Sequence, residues 1–167
     1  MRSGGVRIAP LVRSRIKACE EIVASSDPWK RLGERIDFRA ALLIQGARSR
    51  ASVCIINGET AGFVLFAPGP VFARGGYLRA IGVSPAFRRL GIGRLLLHHA
   101  EQATARATDN LYLCVSSFNR RAQAFYRSCG YRRIGSVPGL ITPGAAEHIY
   151  WKQLRPLMTA RGQKERS

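Results

Sequence analysis

Between Val83 and Arg94 the chain reads Val-Ser-Pro-Ala-Phe-Arg-Arg-Leu-Gly-Ile-Gly-Arg, and this stretch constrains the fold more than any other. Tyr77 to Val83, ahead of it, has the composition of a strand, and an amphipathic helix is predicted behind it from Ile92 to about Thr108. Gly91 and Gly93 carry no side chains, so the backbone between strand and helix can bend tightly and come close to a ligand. The first amides of the following helix point outward, and the helix dipole favours an anion there. Arg88, Arg89 and Arg94 add positive charge around the same point. Together these residues suit a diphosphate. A glycine-rich turn with merely solvated arginines is the plainer alternative, and the flanking strand and amphipathic helix weigh against it. The Gly-x-Gly-x-x-Gly of dinucleotide folds and the Gly-Lys-Ser/Thr of P-loops are both absent.

Around this loop the chain divides into short elements without an internal repeat. Gly5 to Ala9 reads as a first strand, and apolar residues from Leu11 to about Ser25 make a helical stripe. Asp27-Pro28 looks like a helix N-cap followed by a proline at the first position, opening a broken helical stretch to about Ala47, with Asp37 as a second cap. Ser52 to Ile56 and Thr60 to Ala67 form a hairpin around Asn57-Gly58, a pair suited to a type I′ turn. Pro68-Gly69-Pro70 is expected to open a loop ending near Gly75-Gly76. Leu111 to Val115 is a strand, Asn119 to Cys129 a helix stopped by Gly130, and Tyr131 to Val137 and His148 to Trp151 are the last strands. Residues 1–158 are expected to form one domain, and the polar composition of 159–167 predicts a disordered tail. The order implies an α/β (mixed α+β) fold whose sheet has helices on both faces.

A second constellation follows the first at a fitting distance. Asn119-Arg120-Arg121-Ala122-Gln123-Ala124-Phe125-Tyr126 leads to Gly130-Tyr131. With Arg88, Gly91 and Gly93 in the pattern R/Q-x-x-G-x-G/A, and Val83-Ser84-Pro85 before it, the chain resembles the GNAT superfamily of N-acetyltransferases. The resemblance is specific from about Gly58 to Tyr131 and weak over the first 50 residues. It implies a central, mostly antiparallel sheet of about seven strands flanked by about four helices. It implies acetyl-CoA as the acyl donor, with the pyrophosphate on the loop Arg88, Arg89, Gly91, Ile92, Gly93 and Arg94. The pantetheine arm would pair with the backbone of Ile81 to Val83, the N–H of Ile81 could polarise the thioester carbonyl, and Asn119 would contact the cofactor.

The implied reaction is direct attack of a neutral amine on the thioester, without an acyl-enzyme. Tyr126 is the candidate to protonate the departing thiolate, against a reading in which it only packs or binds cofactor. Phe125 and Tyr131 read as core. Many amino-terminal acetyltransferases of the family carry a glutamate twelve positions before that tyrosine; here the position is Cys114. Glu147, His148 or a water chain are candidate substitutes, against a surface glutamate and a satisfied histidine. Cys114 has no histidine near it in sequence to activate it as a nucleophile. His99 is expected near the apolar face of its helix and His98 toward solvent. Trp29 and the loop Val137 to Ala146 are candidate walls for the acceptor.

Composition narrows the partners. The 167 residues include 27 Lys and Arg against 10 Asp and Glu, for a formal charge of +17 carried mostly by arginine. Such a field attracts nucleic acid, anionic surfaces or phosphorylated ligands, but the arginines are dispersed, as an arginine-rich genome would also leave them. No helix-turn-helix, zinc or aromatic-basic RNA motif is present, which disfavours a nucleic-acid-binding protein. No apolar run is long enough to span a bilayer and no signal peptide is visible, so a cytoplasmic location without membrane partners is expected. Cys19, Cys54, Cys114 and Cys129 never form Cys-x-x-C, so reduced thiols and no metal site are expected. Two function readings remain besides nucleic-acid binding: an enzyme acetylating a primary amine of a small molecule or a protein, and an acyl-CoA-binding sensor without turnover, which the missing glutamate favours. The C-terminal strands offer an edge through which a homodimer could form.

Overall fold

Short amphipathic segments alternating with apolar strands leave this chain one economical solution, a sheet buried on both faces. The computed structural model describes residues 5–46 and 48–155. Its strands are β1 (Arg7–Pro10), β2 (Arg50–Ile56), β3 (Glu59–Phe72), β4 (Gly75–Val83), β5 (Asn110–Ser116), β6 (Arg132–Pro138) and β7 (Ala146–Gln153). Its helices are α1 (Ile16–Ala24), α2 (Asp27–Leu32), α3 (Phe38–Leu43), α4 (Ile92–Ala105) and α5 (Arg120–Ser128). The seven strands form one sheet in the order β1-β2-β3-β4-β5-β7-β6. All neighbours are antiparallel except β4 and β5, which α4 connects in parallel. The expected sheet is therefore present, with five helices where about four were anticipated. The tail from Thr159 lies outside the described residues.

Two apolar clusters sandwich the sheet. On one side α4 and α5 lay Leu96, Leu97, Ala100 and Tyr126 against Val64, Phe66, Leu113 and Tyr150. On the other, Cys19 and Ile22 of α1 and Phe38 of α3 cover Val53, Phe63 and Leu65. Each fully buried large side chain here contributes roughly 1.5–3 kcal/mol relative to exposure. At the centre, β3 and β4 approach so closely beneath α4 that a Cβ on Gly62 would lie 2.6 Å from the Gly82 carbonyl oxygen.

Several local expectations need correction. The α2 cap is Ser26, and Asp27 and Pro28 already lie inside the first turn, where the aspartate faces the positive helix end. The stripe from Leu11 starts as a 3-10 turn at Arg13–Arg15 before α1 begins. The loop anticipated at Pro68-Gly69-Pro70 is a continuation of β3: the prolines fall between the Ala67–Tyr77 and Phe72–Gly75 pairs, where the register shifts and no ladder amide is required of them. The chain then reverses at Ala73 and Arg74, both at positive φ (40° and 60°). Asp37 caps α3 as expected, accepting a hydrogen bond from the Ala40 amide at 2.9 Å. Among the described residues no helix is long and apolar enough to cross a membrane.

Candidate active site

The parallel pairing of β4 and β5 is brief. It runs only through Gly76–Leu111, Tyr77–Tyr112 and Leu78–Leu113; beyond it the two strands diverge. β4 departs through a bulge at Arg79, since Leu65 opposes Ala80 while Phe66 opposes Leu78. The divergence opens a cleft of about 1360 Å³, bounded by α2, β4, the loop to α4, the C-terminal end of β5, and α5.

The edge of β4 that faces this gap carries free backbone groups. The Ser84 amide donates to the Ala61 carbonyl at 2.9 Å, which fixes the alternation of the β3–β4 ladder. Antiparallel strands turn successive residues toward and away from the partner, so the amide and carbonyl groups of Ile81 and Val83 point away from β3, into the gap. At the far end of β4 the chain turns into α4. Arg89 takes φ +64° and Gly91 φ +78°, the left-handed region that glycine enters without strain. Among the described residues no side chain caps α4, and uncapped first-turn amides of this kind suit an anion. Arg88, Arg89, Gly91, Ile92, Gly93 and Arg94 all line the cleft. The Arg94 guanidinium also donates to Ser128 Oγ at 2.9 Å, tying α4 to the end of α5.

α5 forms the opposite wall. Asn119 caps it by accepting from the Ala122 amide at 3.1 Å, and the same residue borders the cleft. Tyr126, 6% exposed, packs between Phe125 and Tyr131 with ring centroids at 5.1 and 5.7 Å and still reaches the cleft. Burial pushes its phenol above the ordinary value of 10.0, so it carries its proton at neutral pH. Tyr131 is core, as expected; Phe125 both packs and lines the cleft.

Further groups complete the site; sequence reasoning passed over Tyr77 and Ser116, while Cys114, Glu147, Trp29 and the loop holding Ile141 were already under consideration. Along β5, Tyr112, Cys114 and Ser116 share the face turned toward α1 and α3, and Tyr77 opposes Tyr112 on that face. Tyr77 lies beside Cys114, and burial raises the pKa of both, so both stay protonated. Glu147 is no surface glutamate. It is 5% exposed, directly opposite Ser116 in the β5–β7 ladder, and accepts a hydrogen bond from Ser116 Oγ at 2.5 Å. Burial raises its carboxyl above the ordinary 4.5. His148 points to the other face, with Nδ1 3.0 Å from Ser136 Oγ, and does not border the cleft. His99 packs edge-on against Phe66 and meets Ser52 at 3.1 Å, while His98 is exposed. Trp29 stacks near Phe63 (5.9 Å) and lines the cleft from α2; from the β6–β7 loop, Ile141 lines it too. Arg31 sits over the Phe118 ring at 4.2 Å, joining α2 to the loop after β5. The alternation of polar residues along β5 was the available signal for Ser116. Nothing in the sequence said which face of β7 meets the cleft. All four cysteines are free thiols, and among the described residues no three His, Cys, Asp or Glu side chains gather as a metal site.

Comparison with known proteins gives the same architecture a family context. The profile of the acetyltransferase (GNAT) family matches residues 16–131. Among solved structures, the ribosomal-protein-S18-alanine N-acetyltransferase of Escherichia coli superposes with a TM-score of 0.75 at 21% identity, covering 93% of this chain and 98% of that one. Ard1 from Thermoplasma volcanium gives 0.76 at 16% identity, over 90% and 99% of the two chains. A Bacillus anthracis protein described as a candidate streptothricin acetyltransferase, solved with acetyl coenzyme A, gives 0.72 at 17%, over 89% and 98%.

Proposed function

Because the chain belongs to the acetyltransferase (GNAT) family and is an acyl-CoA-dependent N-acetyltransferase using acetyl-CoA, we propose that it acetylates a primary amine of a small molecule or protein by direct attack within a ternary complex. The divergence of β4 from β5 carries this reading. It exposes the backbone of Ile81 and Val83 along a channel that ends at the uncapped start of α4. An extended pantetheine arm, rich in amides, fits such an edge as an added strand would, and a diphosphate fits the helix start.

In this reading Arg88, Arg89, Gly91, Ile92, Gly93 and Arg94 hold the diphosphate, and Asn119 lies against the cofactor from α5. The Ile81 amide stabilises the charge that develops on the thioester oxygen as the amine attacks. As the carbon–sulfur bond breaks, Tyr126 gives its proton to the departing thiolate. Its protonated, buried state supports that role, and so does its place on the α4–α5 side of the sheet, where it meets the channel from behind. The acceptor would enter from the other side, between Trp29 of α2 and Ile141.

Thiol release from acetyl-CoA across a panel of primary amines tests the assignment. Tyr126→Phe should lower kcat about 10²–10⁴-fold, the range for losing a general acid, with acetyl-CoA affinity nearly unchanged. Loss of affinity with kcat preserved would make Tyr126 a binding residue instead.

A further inference from the structure

An ammonium ion cannot attack a thioester, so the reaction proposed above requires a group that takes its proton. The strand position where many relatives' glutamate is expected holds Cys114, whose half-buried thiol stays protonated. We propose that Glu147 is the proton acceptor for the incoming amine, reaching the cleft from the neighbouring strand, with Ser116 as its positioning residue.

The geometry singles out this carboxylate. Among the described residues three acidic side chains line the cleft, Asp27, Glu34 and Glu147. Asp27 sits in the first turn of α2 and Glu34 is exposed just beyond that helix. Of these Glu147 alone is buried, and among the described residues no arginine or lysine forms an ion pair with it. A carboxylate kept in a wall without a cationic partner is costly to ionise, and such a group in a cleft is a candidate for proton transfer. One oxygen, Oε1, accepts from Ser116 Oγ, which fixes the rotamer. Through the β5–β7 ladder Ser116 and Glu147 stand two residues beyond Cys114 on the same face.

Acid and base then approach the reacting centre from opposite sides of the sheet. Tyr126 comes from the α4–α5 side and Glu147 from the α1–α3 side, and the β4–β5 divergence lets both reach one cleft. Protons balance across the step. Of the three on the ammonium, one passes to Glu147 and on to solvent, leaving a neutral amine to form the carbon–nitrogen bond. A second leaves as the tetrahedral adduct collapses, replacing the proton that Tyr126 gives to sulfur. The third stays on the amide nitrogen.

The groups facing Glu147 tune it for this work. Burial and the Glu34 carboxylate raise its pKa; the Ser116 hydrogen bond and His148 lower it. Tyr77 of β4 and Cys114 of β5 are close enough to feel its charge, and both remain neutral. The net upward direction places the carboxylate nearer to neutrality, where a base is most effective.

Two nucleophiles separate a base from a structural residue. A simple alkylamine is an ammonium ion at neutral pH and needs the base; hydroxylamine is already neutral there and needs it far less. Glu147→Gln should lower kcat/KM for the alkylamine about 100-fold, and for hydroxylamine about tenfold less than that. Calorimetric binding of acetyl-CoA should be retained. Ser116→Ala removes a hydrogen bond to the ionised form, so the acidic limb of the parent's pH profile should move to higher pH. Equal losses with both nucleophiles, or no loss with either, would overturn the role of Glu147 alone. A parent protein that binds acetyl-CoA but turns over neither nucleophile would overturn the amine-transfer reading, and this inference with it.

Discussion

A carboxylate set into the wall of a cleft and held by a single hydroxyl is harder to ionise than one in water, and that cost is visible in stability as well as in chemistry. The pKa of Glu147 is raised in the folded protein above the ordinary 4.5. As pH rises, the unfolded chain therefore gives up this proton before the folded one does. Its contribution to stability is fully present below about 4.5 and is lost as pH climbs through the folded value. Glu147→Gln keeps the shape and the partner for Ser116 but cannot titrate. Thermal unfolding across the acid-to-neutral range should show the variant matching the parent at the acid end and exceeding it progressively toward neutrality. A gap that does not change with pH would mean that the carboxylate is not strained by its surroundings. A cleft residue whose ionisation weakens the fold is what a trade between activity and stability produces.

Elements place these residues, and under α4 strands β3 and β4 come into close contact. Alanine at Gly62 would put its Cβ 2.6 Å from the Gly82 carbonyl and 3.0 Å from Leu96 Cδ1. Backbone on one side and a fully buried leucine on the other leave little room to yield. Gly62→Ala should therefore cost about 1–3 kcal/mol, read as a lower urea midpoint at unchanged slope; a variant as stable as the parent would show that the two strands part easily.

Several elements were legible from local chemistry. Asn57-Gly58 announced the β2–β3 hairpin, the Gly91 and Gly93 loop announced the start of α4, and Asn119 announced the cap of α5. Illegible features depended on partners distant in sequence. The turn at Ala73 and Arg74 uses positive φ without glycine or asparagine, so the extension of β3 through two prolines looked like a loop. Glu147 stayed a candidate weighed against a surface glutamate, because its face is set by β7 inserting between β5 and β6, which puts it opposite Ser116. The roles of Arg88 and Tyr126 were suggested by motif; the cleft that joins them comes from strands diverging after three paired residues.

Over the whole molecule, the charge of +17 acquires a specific consequence. Ion pairs among the described residues engage only Lys152, Arg155 and, when protonated, His98 among the cationic side chains, and none of the arginines lining the cleft. Arg88, Arg89, Arg94, Arg120 and Arg121 all border it, so positive charge stands where a polyanionic donor would enter. Affinity for acetyl-CoA should consequently weaken as salt is added. The most direct test of the account is calorimetric titration of acetyl-CoA into the parent and into Gly91→Glu. That substitution sets a carboxylate at the start of α4 on a backbone held at φ +78°. Binding near one equivalent by the parent, abolished in a folded variant, is the predicted result. Equal binding by both proteins would place the donor elsewhere, and no binding by the parent would contradict the site altogether.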